Sequence, residues 1–277
     1  ALQRGFKKEK LGKVLAVLFA LFAAIASFGI GAAVQANSLS GAVVSVAGDA
    51  ALATSTISVF GLFETTPLQI IVGLLVVVFV AVVILGGIKV ISRVCEKLIP
   101  FMTIFYVLGC LILICINAQY FIDAIGLIVV CAFTPQAAFG GAVGTSIMLA
   151  LQFGCARGLF SNESGLGSSP LVASAAITRN PARQALISMT GTFWDTVVVC
   201  ALTGIALVSS ILASPEIAAT LTGGGFVGSA AALVTSCFAQ IPVVGPFILC
   251  VGLILFAYST MLGWSYYGNR CITYLFG

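Results

Sequence analysis

Six stretches of the chain are apolar and long enough to cross a lipid bilayer as helices, a crossing that takes about 20 residues. They lie at 14–35, 68–88, 98–118, 143–178, 184–211 and 244–267. Composition agrees, because 61% of the 277 residues are hydrophobic and only 7% are charged, whereas soluble domains carry about 25% charged residues. The sequence therefore predicts an all-α integral membrane protein with a single helical bundle.

Composition also excludes several classes of function. The chain has no histidine, which removes histidine-based catalytic triads and histidine metal sites. Its net charge of +4 is too small for a nucleic-acid-binding face. The nine cysteines form no CxxC pair and lie mostly in apolar runs, which favours buried thiols over disulfides or zinc. We expect neither an enzyme nor a resident cofactor.

The basic residues orient the bundle. Eleven of the twelve Lys and Arg residues lie at 4–13, 89–97, 179, 183 and 270, whereas the loops 36–67, 119–142 and 212–243 have none. With six spans these clusters share one side, which the positive-inside rule makes cytoplasmic. We therefore expect a multi-pass protein of the cell (inner or plasma) membrane. The shorter apolar stretches at 121–133 and 226–238 are interpreted as interfacial or re-entrant helices.

Three charged residues remain inside the predicted spans, namely Arg157, Glu163 and Asp195. A charge at the bilayer centre costs about 2.5–3.5 kcal/mol on insertion scales. We therefore expect these side chains to face a protein-lined cavity. Asp195 and Glu163 are candidates for contact with a substrate or an ion, and Arg157 is interpreted as structural.

The fourth span is interrupted at 160–167 by serine, asparagine, glutamate and glycine. Ser168, Ser169 and Pro170 then have the composition of a new helix start. Non-helical backbone inside a bilayer survives only where protein or a water-filled cavity satisfies it. The broken ends offer backbone N–H groups to a carboxylate and free carbonyls to a small cation such as Na⁺. The alternative is a glycine kink that serves packing alone.

Polar side chains in the neighbouring spans recur at helical spacing. Each hydroxyl by itself is also explained by a hydrogen bond between helices. Together, the hydroxyls, amides and carboxylate suit a small polar solute, and no nucleophile–base pair is evident. The groups are Ser188, Thr192 and Asp195 in one span, Ala257, Thr260, Trp264 and Tyr267 in another, and Gln35 with Asn37 in the first.

The run 158–170 (GLFSNESGLGSSP) resembles the alanine or glycine:cation symporter family. The resemblance continues through 180–184 (NPARQ), 191–196 (GTFWDT), 262–270 (LGWSYYGNR) and 28–38, and so covers essentially the whole chain. It implies a leucine-transporter-like fold built from inverted repeats, of which this chain would form core helices three to eight. Nothing resembles helix one or the helices after the eighth, so we expect an internal portion of a symporter.

The resemblance also implies site residues. Sodium would contact Ser161, Asp195 and Thr260, and Met261 stands where the leucine transporter has a second hydroxyl. The amino acid would lie near Gln35, Phe160, Glu163, Gly165 and Trp264.

The expected function is secondary active transport, the sodium-coupled symport of a small neutral amino acid such as alanine or glycine. The expected partners are this amino acid, the coupling Na⁺ and the lipid bilayer, and no nucleic acid. The alternatives are an ion channel or passive pore for polar solutes, and a membrane scaffold without a substrate.

Overall fold

The computed structural model of the protein describes residues 9–48, 52, 55–59, 63–132, 167–222 and 230–277. Most of these residues are helical. The α-helices are α1 Glu9–Phe28, α2 Val34–Ala47, α3 Pro67–Leu85, α4 Gly87–Ile116, α5 Phe121–Ala132, α6 Ser169–Ala173, α7 Pro181–Thr192, α8 Ala201–Ala213, α9 Pro215–Thr222, α10 Ala230–Phe238 and α11 Val244–Phe276. The π-helices are π1 Gly29–Ala33, between α1 and α2, and π2 Phe193–Cys200, between α7 and α8.

Five stretches of the described residues are long and apolar enough to cross a membrane. They are Glu9–Val44, Pro67–Leu85, Gly87–Ile116, Pro181–Ala213 and Val244–Phe276. Each overlaps one predicted span. The remaining prediction, 143–178 with its break at 160–167, falls mostly on 133–166, outside the described residues. Directly after this gap, α6 begins at the predicted Ser-Pro run and ends at Ala173.

Three boundaries differ from the sequence prediction. The first helical stretch passes through π1 and continues to Ala47 instead of ending at residue 35. Helix α4 begins at Gly87, eleven residues before the predicted start at 98, because charged side chains end a hydrophobic segment without breaking helical hydrogen bonds. Within the predicted loop 36–67 the described residues form a short antiparallel pair of strands, β1 Ile57–Val59 and β2 Phe63–Thr65, while the rest of the described chain is mostly helical, as expected of an all-α membrane protein.

Contacts divide the chain into two compact units. The first unit comprises Ala1–Met102 and Cys250–Gly277. One cluster of its core joins α2, α3 and α11 through Leu39, Val72, Ala257 and Met261. A second cluster joins α3, α4 and α11 through Val83, Ile91 and Leu262. Long apolar helices thus pack through narrow stripes, and their outer faces stay exposed, as expected of helices surrounded by lipid.

Local sequence explains how α3 begins and ends. The Thr66 hydroxyl accepts a hydrogen bond from the Gln69 backbone N–H (3.3 Å), and the Thr66 N–H donates to Gln69 Oε1 (3.1 Å). This reciprocal capping box, with Pro67 at the first helical position, satisfies amides that would otherwise lack partners. At the other end, Gly87 takes a positive φ of 69°, which lets α4 follow α3 after a single turn residue.

The second unit comprises Thr103–Leu249. Helix α8 is its central element and contacts α5, π2, α9 and α10. The fully buried side chains of this unit include Cys110 and Leu113 of α4, Ala206 of α8, and Cys237 and Phe238 of α10. The Tyr106 ring stacks on Phe238 with centroids 6.3 Å apart.

Candidate functional site

The first unit contains a tight seam between the α1–π1–α2 helix and α11. A methyl group on Gly268 would fall 2.5 Å from Ser27 Oγ, and one on Gly31 would overlap Trp264 Cβ. From the Ser27–Gly268 contact to the Gly31–Trp264 contact, the residue number rises by four in one helix and falls by four in the other. The two helices therefore run antiparallel, and glycine at two positions permits their close approach.

Gln35 lies four residues after Gly31, and Thr260 lies four residues before Trp264. Gln35 is the second residue after π1, and its Nε2 donates to the Ile30 carbonyl of π1 at 3.4 Å. Thr260 Oγ1 donates to the Phe256 carbonyl at 2.8 Å. Each side chain thus donates one hydrogen bond within its own helix. The lone pairs of Gln35 Oε1 and Thr260 Oγ1 can still accept a hydrogen bond from an ammonium group or bind a cation.

Trp264 forms the wall of this seam. Its side chain is only 5% exposed, and its ring meets that of Tyr267 edge-on, with centroids 5.5 Å apart. Ala257, Trp264 and Tyr267 are all buried, as the helical spacing predicted, whereas Thr260 between them is half-buried. The seam therefore has a rigid aromatic wall, and the half-buried Thr260 lies one turn along α11 from it.

Asp195 belongs to the second unit and is half-buried within π2. The predicted common face with Ser188 and Thr192 assumes α-helical spacing, but this spacing ends at Thr192, where π2 begins. A π-helix adds backbone to each turn and changes the direction of the side chains that follow. Ser188 and Thr192 are accordingly exposed whereas Asp195 is not.

Both π-helices lie at or near predicted site residues: π1 ends two residues before Gln35, and π2 contains Asp195. Such wide turns occur frequently at functional sites. Sequence reasoning missed them, because one extra residue in a turn leaves hydropathy unchanged. The glycines of the Phe-Gly-Ile-Gly run are the only local hint at π1.

Sequence reasoning also missed a buried amide network in the second unit. Asn117 Nδ2 donates to Gln240 Oε1 (2.8 Å), Ser210 Oγ (3.3 Å) and the Leu113 carbonyl (3.2 Å). Gln240 Nε2 donates to the Ser210 carbonyl at 2.8 Å. The network ties the end of α4, helix α8 and the turn after α10 together.

Near this network, burial raises the pKa of the Cys237 thiol to about 11, which keeps the thiol protonated and unreactive at neutral pH.

Four of the predicted site residues, Phe160, Ser161, Glu163 and Gly165, lie outside the described residues. Of the other four, Trp264 packs against Gly31 on the seam of the first unit, and Gln35 and Thr260 belong to the two helices that form this seam. Asp195 is described within the second unit.

The family model of the sodium:alanine symporter family matches residues 1–277. The chain belongs to the sodium:alanine symporter family. It is 44% identical over its whole length to the sodium/alanine symporter AgcS of Methanococcus maripaludis, covering 54% of that protein. It is 32% identical to the amino-acid carrier protein AlsT of Bacillus subtilis, with 99% of the chain matching 51% of AlsT.

A third relative differs in its named substrate. The probable sodium/glutamine symporter GlnT of Bacillus subtilis is 29% identical over 99% of the chain and 50% of GlnT. The chain spans about half the length of these curated relatives. The family is one of transporters and not of enzymes. With its long apolar helices, this member is a multi-pass membrane protein.

Proposed function

We propose that the protein containing this chain is a secondary active transporter that couples Na⁺ entry to uptake of a small neutral amino acid, alanine or glycine. The observation that carries the proposal is the seam of the first unit. There, two antiparallel helices meet at Gly31 and Trp264, and Gln35 and Thr260 each lie four residues further along their own helix. Family membership supports the same activity.

The chemistry of the proposed ligands gives each residue a role. Na⁺ is a hard cation that prefers oxygen ligands, and Thr260, Asp195 and Ser161 each supply one. The amino acid would contact Gln35 and Trp264, together with Phe160, Glu163 and Gly165 on the broken segment. Its ammonium group needs acceptors, and its carboxylate suits the N-terminal end of a half-helix.

Substrate size is a separate part of the proposal. The relatives include proteins named for alanine and for glutamine, so family membership alone leaves the size open. Trp264 packs directly against Gly31 and is almost fully buried, from which we infer little room beside the seam. We therefore propose alanine or glycine and expect an excess of unlabelled alanine, but not of glutamine, to abolish uptake of labelled alanine.

The test is uptake of labelled alanine by proteoliposomes that contain the natural full-length protein carrying this sequence. With Na⁺ outside, we expect accumulation above equilibrium; with K⁺ outside, only background uptake. Equal uptake with either cation would refute sodium coupling. Currents far above transporter turnover in planar bilayers would instead establish a channel.

Asp195→Asn removes the proposed carboxylate ligand while keeping the size of the side chain. We expect the Na⁺ concentration for half-maximal uptake to rise about tenfold, which corresponds to about 1.4 kcal/mol. Asp123→Asn is the matched control, because Asp123 is an exposed acid on α5. An unchanged Na⁺ dependence in Asp195→Asn would remove this residue from the proposed site.

A further inference from the structure

One exposed stripe of α4 changes from cationic to apolar along its length. Three exposed cations lie four residues apart, at Lys89, Arg93 and Lys97, a spacing that aligns them in one row. The stripe continues as an apolar row of Phe101 (58% exposed), Ile104 (60%), Leu108 (53%) and Leu111 (41%). A row of large exposed apolar side chains on a membrane-spanning helix faces lipid tails, so the cations above it face the same lipids at the level of their headgroups.

The length of α4 places this change at the membrane surface. The helix has 30 residues, which makes it about 45 Å long at about 1.5 Å per residue. The hydrocarbon core is about 30 Å thick, so about ten residues must lie outside it. The end of α4 near Ile116 is apolar, which assigns the excess to residues 87–96. The last cation of the row, Lys97, follows immediately.

The opposite face of the same segment is fixed to the protein. Ile91 is buried in one cluster with Val83 and Leu262, and Cys95 packs against this cluster. The apolar half of the segment is thereby held on α3 and α11 within the first unit. This attachment keeps the cationic half pointing outward, so the row is a fixed feature of the surface.

Pro100 lies within α4 at the boundary between the cationic and apolar rows. Proline has no N–H for the carbonyl four residues earlier, which here is that of Glu96. A carbonyl without its helical partner needs water or another donor, and the headgroup region provides both. Pro100 and the change from cationic to apolar side chains therefore place the start of the hydrocarbon core at the same level of α4.

The local sequence of α4 and the described residues compensate little of the charge of the cationic row. Glu96 is the single acid among residues 87–99, against three cations. Within the described part of the chain, Lys89, Arg93 and Lys97 form no ion pair. Like charges four residues apart on a helix repel each other. A bound anion at the surface would relieve this repulsion.

We propose that Lys89, Arg93 and Lys97 form a docking surface for anionic phospholipid headgroups, with the acyl chains lying along the apolar row that begins at Phe101. Basic groups next to a membrane-spanning helix attract anionic lipids, and arginine binds phosphate in a bidentate manner. The surface would bind phosphatidylglycerol in preference to phosphatidylcholine, because only the former carries a net negative charge.

The first test is native mass spectrometry of the protein released from nanodiscs that contain equal amounts of phosphatidylglycerol and phosphatidylcholine. We expect the variant K89Q/R93Q/K97Q to retain at most half as much phosphatidylglycerol as the unmodified protein, with phosphatidylcholine unchanged. The charge-conserving variant K89R/R93K/K97R should match the unmodified protein. Equal retention of phosphatidylglycerol by the glutamine variant would overturn the proposal.

A second test needs no variant and therefore does not depend on how the substitutions fold. Phosphatidylglycerol with a photoreactive headgroup is added to bilayers containing the unmodified protein, and the labelled peptides are mapped. We expect labelling concentrated at residues 87–100, reduced at high salt and unaffected by inorganic phosphate at matched ionic strength. Labelling evenly spread over all basic ends, or equally strong labelling by a phosphatidylcholine analogue, would contradict a specific docking surface. Competition by inorganic phosphate would contradict the lipid as its occupant.

Discussion

At the scale of single residues, the seam of the first unit depends on the absence of a side chain at Gly31. An added methyl group would overlap Trp264 Cβ, which is held by its own backbone and cannot turn away. We expect Gly31→Ala to lower the free energy of unfolding by about 1–3 kcal/mol, the usual cost of overpacking. The measurement is the thermal midpoint in detergent.

Gly41→Ala is the matched control for this substitution. Gly41 lies on α2, and nothing lies within 4 Å of a methyl group added there. Alanine favours helix over glycine by about 1 kcal/mol, so we expect this control to keep or raise the thermal midpoint. If both variants unfolded at the same temperature, the close approach of Gly31 and Trp264 would make no contribution to the stability of the protein.

Substitutions of Thr260 test whether its hydroxyl, one helical turn from Trp264, is a cation ligand. Thr260→Val keeps the shape of the side chain and removes its oxygen, so we expect about tenfold weaker apparent Na⁺ affinity in alanine uptake, or about 1.4 kcal/mol. Thr260→Ser should restore the affinity. Thr273→Val is the matched control, because Thr273 Oγ1 makes the same bond to the carbonyl four residues earlier. A purely structural hydroxyl would leave the Na⁺ dependence unchanged.

At the scale of elements, the amide network around Asn117 joins three parts of the second unit. Asn117→Ala removes three hydrogen bonds and leaves the partly buried Gln240 Oε1 without this donor. We expect a loss of about 1–3 kcal/mol in stability, the cost of an unsatisfied buried polar group. The exposed Asn269→Ala on α11 should have no measurable effect. Additive losses in a double-mutant cycle of Asn117 with Gln240 would show that the two amides act independently.

Hydropathy predicted α3 and the start of α11 to within three residues, because both begin with apolar sequence. It ended α11 nine residues early, where Asn269 and Arg270 make the sequence polar. It placed the start of α4 eleven residues late, since it reports contact with lipid, whereas the helix is defined by backbone hydrogen bonds that continue through Lys89 and Arg93. The same limit applies to π1 and π2, whose extra residue changes geometry but not composition.

The packing of one helix face beside the candidate site was predicted. The helical spacing of Trp264 and Tyr267 correctly identified a buried face of α11, because periodicity records which side a helix buries. The network of Asn117, Ser210 and Gln240 could not be found this way, because its members are up to 123 residues apart in sequence. Only tertiary packing brings them together.

At the scale of the whole molecule, the number of crossings decides on which side the chain ends. The spans in the described residues cross five times, which alone would place residues 9 and 277 on opposite sides. A crossing by segment 143–178 would return the end to the starting side. The basic groups near both ends, Lys10 and Arg270 among them, favour the same side, the cytoplasm.

Reporter proteins fused at successive positions show whether an even or an odd number of membrane crossings precedes each position. We expect alkaline phosphatase to be active when fused after Thr65 and green fluorescent protein to fluoresce when fused after Gly86, since one and two crossings precede these sites. These two fusions calibrate the orientation independently of residues 133–166. The fusion after Gly277 then reports on the sixth span, and fluorescence there requires an even number of crossings. Phosphatase activity after Gly277, with the other two fusions as expected, would show that 143–178 does not cross the bilayer once, and a broken helix spanning the membrane at Glu163 would be wrong.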